Sequence, residues 1–93
     1  MKDSASFYKK LRTQLDKTTK FPSDYLYKFI VAAEGNKVEQ VQDLFKEKGA
    51  VINTKKSKTG KYISVSIVIK LASSEEVISY YEQAEKIEGI ISL

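Results

Sequence analysis

The sequence contains no cysteine, no histidine and no tryptophan, and its only arginine is Arg12. Without cysteine the chain has no disulfide, no thiolate nucleophile and no thiolate metal site. Without histidine it lacks the commonest general base and the commonest transition-metal ligand. Glycine-rich phosphate loops and the G-x-S-x-G nucleophile motif do not occur either. These absences predict a protein that is not an enzyme and that binds no cofactor and no metal.

Long apolar segments are also missing. The longest stretch without a charge, residues 62–69, includes two serines and is far shorter than the roughly 20 apolar residues of a membrane helix. The start of the chain has no apolar segment typical of a signal peptide. Glycine and proline are scarce, which argues against low-complexity sequence. We therefore expect a cytoplasmic globular protein with no membrane partner.

Charge is distributed unevenly along the chain. The net charge of +4 divides into +4 over residues 1–30, +3 over residues 31–61 and −3 over residues 62–93. Such polarity can steer an acidic partner toward the basic part of a molecule. Because arginine supplies bidentate and stacked contacts that lysine does not, the excess of lysine over the single arginine weighs against a nucleic-acid partner.

The first twenty residues have the pattern of an amphipathic helix. Phe7, Leu11 and Leu15 recur every four residues and form a narrow apolar stripe. Pro22 favours an extended entry into the next segment. We expect this helix to pack its stripe on the rest of the chain or on a second copy, so the protein is expected to be a monomer or a weak homodimer.

The remaining residues alternate between strand and helix patterns. Period-two alternation predicts strands over 25–33, 50–54, 61–71 and 90–93. Between them, Asn36 with Glu39 and Ser73 with Glu76 have the spacing of capping boxes and predict two helices, over 36–48 and 73–88. In the third strand, one face is wholly apolar and the other is semi-polar. The semi-polar face is expected to be open to water, to mediate self-association or to hold the leading helix.

After the leading helix this order is βαββαβ, the ferredoxin-like arrangement. Right-handed crossovers then predict an α+β two-layer sandwich with an antiparallel sheet in the order 4-1-3-2 and both helices on one face. The predicted organisation is an N-terminal helical extension at 1–20 and one domain at 21–93.

Residues 21–93 resemble the YbeD-like proteins, small uncharacterised bacterial proteins. The likeness rests on the Phe21-Pro22 pair, on Tyr27-Lys28 in the first strand, and on a serine-containing turn that leads into the pattern G-x-Y-x-S-V-S at residues 60–66. That family's fold resembles the ACT domains, regulatory modules that bind small molecules. The resemblance therefore implies an ACT-like domain and a regulatory role.

The corner between the first strand and the next helix is one candidate site. It carries Gly35, Asn36 and Lys37, at the place where ACT-like domains bind effectors. A helix N-terminus offers free backbone N–H groups to a carboxylate or phosphate. The corner lacks the D-R-x-G pattern of amino-acid-binding ACT domains, and Gly35 can equally serve turn geometry alone.

The densest basic cluster is the second candidate site. It comprises Lys55, Lys56, Lys58 and Lys61, followed by Tyr62, and its residues 55–60 are predicted to form a hairpin turn. Lysines at a hairpin also serve solubility and protect a sheet edge, which is the alternative interpretation. Tyr62 is the only aromatic residue on the semi-polar face of the third strand, so the stacking platform of RNA-recognition motifs is not formed.

The sequence thus predicts a non-enzymatic regulatory or adaptor module that binds a protein partner or a small anionic effector. The alternative is weak nucleic-acid binding through the lysine-rich hairpin, which would show a strong dependence on salt.

Overall fold

A computed structural model describes residues 4–46 and 49–93 of the chain. Helices and strands follow one another in the order α1 (Ser4–Thr18), β1 (Ser23–Ala32), α2 (Lys37–Phe45), β2 (Val51–Lys56), β3 (Tyr62–Leu71), α3 (Ser74–Glu85) and β4 (Ile91–Ser92). Each predicted element is present, and the fold class is confirmed as α+β and ferredoxin-like.

The four strands form one antiparallel sheet in the order β2-β3-β1-β4. This is the predicted order 4-1-3-2, read from the opposite edge. The two central strands pair along their whole length, from Ser23 opposite Leu71 to Ala32 opposite Tyr62. Their register places Phe29 beside Val65 and Tyr27 beside Ile67, so the apolar faces of both strands point to the same side of the sheet.

The core lies between that side of the sheet and helices α2 and α3. Tyr27 is fully buried, and its hydroxyl donates to the Val77 carbonyl oxygen of α3 at 2.8 Å. Phe45 of α2 stacks on Tyr80 of α3 with ring centroids 4.6 Å apart. Tyr80 is buried at this contact.

Helix α1 runs antiparallel to α3 and packs on its outer side. Leu15 reaches the core and is 9% exposed, Leu11 is half-buried, and Phe7 at the start of the stripe is exposed. Three polar contacts, from residues one helical turn apart on α1, join the helices: Tyr8 Oη donates to Glu85 Oε2 (2.6 Å), Arg12 Nη2 pairs with Glu75 Oε2 (3.0 Å) and Ser74 Oγ donates to Asp16 Oδ1 (2.6 Å). The leading helix therefore packs on the domain, at its helical layer and not on the semi-polar face of the sheet.

The two predicted capping boxes have different outcomes. Ser73 caps α3, since its Oγ accepts from the Glu76 N–H at 3.2 Å, while the Glu76 carboxylate accepts from the Ala72 N–H at 2.7 Å. The box predicted at Asn36 is wrong. The Asn36 side chain makes no cap hydrogen bond, because its Oδ1 accepts instead from Gln40 Nε2 at 2.7 Å.

Several predicted boundaries also differ from the structure. The second strand continues through Lys55 and Lys56, because their backbone pairs with Ser64 and Ile63 of β3; the prediction that these lysines belong to the turn is wrong. The last strand is two residues long and α3 ends at Glu85. The end of the helix predicted over 36–48 lies outside the described residues.

Candidate functional site

The turn between β2 and β3 is stabilised by its own hydroxyl groups. Ser57 N–H donates to the Tyr62 carbonyl at 2.8 Å, and Tyr62 N–H donates to Ser57 Oγ at 3.2 Å. The Thr59 hydroxyl lies 3.4 Å from Ser57 Oγ. Gly60 has a φ of +75°, in the left-handed region that favours glycine. The basic residues on both sides of this turn are therefore presented on an ordered hairpin.

A cavity of about 260 Å³ opens where this hairpin meets the sheet; we call it the hairpin cavity. Three predicted lysines and the predicted tyrosine meet there. The cavity is lined by Ile30, Lys55, Lys56, Ser57, Lys58, Tyr62 and Ser64. None of these lining residues is acidic, and none of the three lysines forms an ion pair with a residue in the described part of the chain. The cavity therefore combines positive charge with hydroxyl groups and a mainly apolar surface.

A second cavity, of about 360 Å³, shares Tyr62 with the first; we call it the corner cavity. Its lining includes Glu34 and Lys61, from opposite sides of the junction between β1 and β3. The Ala33 N–H donates to the Lys61 carbonyl at 2.9 Å, which holds the two segments together. Tyr62 lines both cavities, so the basic cavity and the one that carries charges of both signs share this residue.

The predicted effector corner has a different geometry. Gly35, Asn36 and Lys37 line neither of these two cavities. Gly35 has a φ of +77°, and the space where a Cβ would stand is open, so the turn itself requires the glycine. The Asn36 side chain is engaged with Gln40. An effector role for these three residues stays a prediction, as does a binding role for the hairpin lysines.

Sequence reasoning missed Ile30, Ser57 and Ser64 as residues of the hairpin cavity. The signal was present in the pairing register, because Ile30 lies opposite Ser64 and Lys55 lies opposite Ser64 on its other side. Residues that lie directly opposite each other on paired strands point to the same face, so Ile30, Ser64 and Lys55 share one face of the sheet.

A larger groove runs along α1. Its volume is about 480 Å³, and it is lined by residues of α1 that include Lys9, Lys10 and Lys17. These side chains lie on the side of the helix opposite to Leu11 and Leu15, as the 100° spacing of helical residues requires. The groove therefore has a single wall among the described residues, and it does not enclose a ligand.

The tyrosines near the core are not suited to acid–base chemistry at neutral pH. Burial raises the pKa of Tyr27 above its ordinary value. Burial and the hydrogen bond between the Tyr25 and Tyr81 hydroxyls, whose oxygens are 2.9 Å apart, raise the pKa of Tyr81. Burial, followed by the hydrogen bond to Glu85, raises the pKa of Tyr8. All three phenols therefore stay protonated and serve as hydrogen-bonding and packing groups.

Two further searches cover residues 4–46 and 49–93. No group of three or more acidic side chains there is arranged to hold a metal ion. Over the same residues, no helix has the length and apolar character to cross a membrane.

Comparison with known proteins places the chain in a family. The family model described as "Protein of unknown function (DUF493)" matches residues 16–93. A UPF0250 protein of Edwardsiella ictaluri is 32% identical over 81 residues, which cover 84% of this chain and 93% of that protein. These matches confirm the resemblance to the YbeD-like proteins.

A solved structure shares the fold at low sequence identity. The ACT domain from GTP pyrophosphokinase of Chlorobium tepidum superimposes with a TM-score of 0.54 and 10% identity, covering 76% of this chain and all of that one. This likeness supports the ACT-like, ferredoxin-like architecture alone. From residue 16 to its last residue, the chain belongs to the family described as Protein of unknown function (DUF493), with an ACT-like fold.

Proposed function

We propose that this protein is a non-enzymatic, cytoplasmic regulatory module that binds a small anionic effector in the hairpin cavity. The observation that carries the proposal is the lining of that cavity. Lys55, Lys56 and Lys58 meet there with no carboxylate among the lining residues and no ion pair within the described residues.

The electrostatics of the cavity favour an anion. Adjacent ammonium groups repel each other, and an anion placed between them replaces that repulsion with attraction. Lysine binds phosphate and carboxylate groups as a point charge. The Tyr62 hydroxyl has no partner among the described residues, so it can donate a hydrogen bond to the same ligand. The side chain of Ile30 offers apolar contact, which suits a small molecule with both a charged and an apolar part.

The fold supports a regulatory role for such a site. The chain shares its architecture with an ACT domain of a GTP pyrophosphokinase, and ACT domains are regulatory modules. The residues in the described cavities include lysine, serine and tyrosine, but the pairs of serine or cysteine with histidine that are commonest in nucleophilic catalysis cannot form without histidine. This composition supports binding without catalysis.

Nucleic-acid binding through the same lysines is the second candidate, and the exposed position of Tyr62 beside them supports it. A stacked base needs an aromatic face next to a basic groove. The open face of β3 supplies one such ring, followed by Ser64 and Ser66. This mode therefore predicts weak binding that depends steeply on salt.

The test is a titration of the ¹⁵N-labelled full chain, followed by amide NMR. The probes are inorganic phosphate, pyrophosphate, adenosine and guanosine nucleotides, acidic amino acids and a single-stranded oligonucleotide. We expect at least one small anion to give saturable shifts around Ser57, Tyr62 and Ser64. Shifts centred on Gly35, Asn36 and Lys37 would instead support the predicted effector corner.

Matched variants separate a specific site from general positive charge. Replacing Lys55, Lys56 and Lys58 together by Gln should weaken binding at least about tenfold. The control replaces Lys9, Lys10 and Lys17 on the exposed side of α1 by Gln, and it should leave affinity unchanged. Equal losses in the two triple variants, or no response to any small anion at millimolar concentration, contradict the proposal. Binding of the oligonucleotide alone supports the nucleic-acid alternative.

A further inference from the structure

The face of the sheet that points away from the helices is covered by nothing in the described structure; we call it the open sheet face. Seven large hydrophobic side chains are exposed among the described residues, and all except Phe7 lie on this face. They are Leu26, Val51, Tyr62, Val68, Ile91 and Leu93. Monomeric proteins scatter exposed apolar side chains, so this concentration on one surface points to an interaction site.

Strand pairing shows how these side chains are arranged. Val51 lies opposite Val68, and Val68 lies opposite Leu26, so one apolar row crosses β2, β3 and β1. Ile91 pairs with Ile30, and the Leu93 N–H donates to the Lys28 carbonyl at 2.9 Å. Leu93 therefore lies on the same face as Ile91 and extends the apolar surface onto the fourth strand.

The dimensions of this surface suit a helix. Four strands spaced about 4.8 Å apart span roughly 14 Å, and three turns of an α-helix are about 16 Å long. Helices can pack on both faces of a sheet, as they do in three-layer folds. A single amphipathic helix laid across the open sheet face would contact the row and the fourth strand with side chains at i, i+3 or i+4, and i+7.

The charged side chains on the open sheet face indicate which kind of partner helix it would bind. Lys28, Lys55 and Lys70 lie on this face, whereas Asp24, opposite Lys70, is the one acidic side chain that strand pairing places there. A second copy docked face to face would bring lysines close to lysines, because such an interface uses the same patch twice. A partner with carboxylates beside its apolar stripe would meet complementary charge instead.

Polar groups between the apolar side chains favour a protein over a lipid surface. Asn53 and Ser66 lie opposite each other, and Ser66 also lies opposite Lys28. A helix with polar side chains can form hydrogen bonds to these groups, whereas the hydrocarbon region of a membrane cannot. We propose that the open sheet face docks an amphipathic helix of a partner protein whose apolar stripe is flanked by aspartate and glutamate. The open sheet face shares Lys55 and Tyr62 with the hairpin cavity, but the apolar row of Val51, Val68 and Leu26 lies outside that cavity and carries this proposal by itself.

The test uses two synthetic 18-residue helical peptides with the same leucine stripe, one flanked by glutamate and the other by lysine. Binding to the full chain is measured by fluorescence anisotropy and mapped by amide NMR. We expect the glutamate peptide to bind at least about tenfold more tightly. Its shifts should lie on the open sheet face, around Leu26, Val68 and Leu93. Equal affinities, shifts on α1 or α3, or no binding of the glutamate peptide would overturn the proposal.

Variants identify the surface itself. The double variant Leu26→Ser and Val68→Ser should weaken binding of the glutamate peptide at least about tenfold. The control Phe7→Ser removes an exposed hydrophobic residue that does not lie on the open sheet face, and it should leave the affinity unchanged. Lys28→Gln with Lys70→Gln keeps the apolar row and should weaken binding at low salt but not at high salt. An unchanged affinity in both double variants contradicts the proposal.

Two further measurements exclude the other occupants. Sedimentation of the protein alone should show a monomer over the concentrations used, and a dimer that Leu26→Ser with Val68→Ser dissociates would assign the face to a second copy. Vesicles containing anionic phosphatidylserine should not bind; vesicle binding that the same double variant abolishes would assign the face to a membrane surface. Either result overturns the helix proposal. Failure of the hairpin-lysine titration would leave these results unaffected, so the two proposals fail separately.

Discussion

Removal of one buried hydroxyl group, by Tyr27→Phe, tests how the core is held together. The Tyr27 side chain is 0% exposed and its hydroxyl donates to the Val77 carbonyl at 2.8 Å, across the space between the sheet and α3. The ring itself contacts Phe29, Phe45 and Tyr81, with the Tyr81 centroid 4.9 Å away. The substitution removes the hydrogen bond and keeps the ring contacts.

The expected magnitude follows from those contacts. A hydrogen bond of this kind contributes about 0.5–1.5 kcal/mol net, and the Val77 carbonyl keeps its place in the helical hydrogen-bond series of α3. We therefore expect Tyr27→Phe to lower the free energy of unfolding by about 1 kcal/mol. That loss corresponds to a decrease in Tm of roughly 4–8 °C for a domain of this size. Tyr27→Ala, which also deletes the ring, should lower the free energy of unfolding by about 3–5 kcal/mol.

Urea unfolding followed by circular dichroism measures both values. Tyr62→Phe is the matched control, because the Tyr62 side chain is 51% exposed and its hydroxyl has no partner among the described residues; its stability should equal that of the parent protein. A Tyr27→Phe variant as stable as the parent, or one that loses more than about 3 kcal/mol, refutes the reasoning, since neither fits the net value of one hydrogen bond.

Three other predictions concern α1, the helix caps and pH. Leu15→Ala should lower the free energy of unfolding by about 2–3 kcal/mol, whereas Phe7→Ala, at an exposed position of the same stripe, should change it by less than about 0.5 kcal/mol in urea unfolding; equal losses would contradict the packing of α1 on the domain. Ser73→Ala should lower it by about 1 kcal/mol through loss of the cap, and Asn36→Ala, which removes no cap bond, should lower thermal stability less. Burial raises the pKa of Tyr27 above its ordinary value of 10, so its contribution to stability is complete below pH 10. As pH rises further, that contribution declines by about 1.4 kcal/mol per unit. Unfolding measured from pH 9 to 11 should show a shallower decline for Tyr27→Phe, and an unchanged slope would refute the assignment.

The fold could be predicted because the alternation of apolar and polar residues determines which face of each strand is buried. Alternation along residues 62–71 allows one face to be buried, and a shift of one residue would expose Val65, Ile67 and Ile69. The rule of right-handed crossovers predicted β1 and β3 as the central strands, as the structure has them. Strand ends were less certain, because the pairing of Lys55 and Lys56 depends on backbone partners that composition does not reveal.

Helix caps and buried helix residues could be predicted only in part, because the same sequence pattern can lead to different side-chain contacts. Asn36 and Ser73 both stand three residues before a glutamate, yet only Ser73 forms the cap. Asn36 had an alternative, the Gln40 side chain one turn further on. Tyr80 is buried against Phe45, which reaches it from α2; the spacing of residues within either helix does not encode such a contact between distant segments.

The candidate site was predicted as a set of residues but not as a shape. The sequence placed Lys55, Lys56, Lys58 and Tyr62 in one cluster, and the hairpin cavity brings these four together. Lys61 instead lines the corner cavity. The contribution of Ile30, which comes from a strand about thirty residues earlier, depends on the residue register between β1 and β3, which the predicted strand order alone does not give.

The titration of the full chain with pyrophosphate, read by amide NMR, tests the anion-binding claim most directly. The account predicts saturable shifts at Ser57, Tyr62 and Ser64 that disappear when Lys55, Lys56 and Lys58 are replaced by Gln and persist when Lys9, Lys10 and Lys17 are replaced. Shifts that follow the α1 lysines, or a spectrum that pyrophosphate leaves unchanged at millimolar concentration, would contradict it.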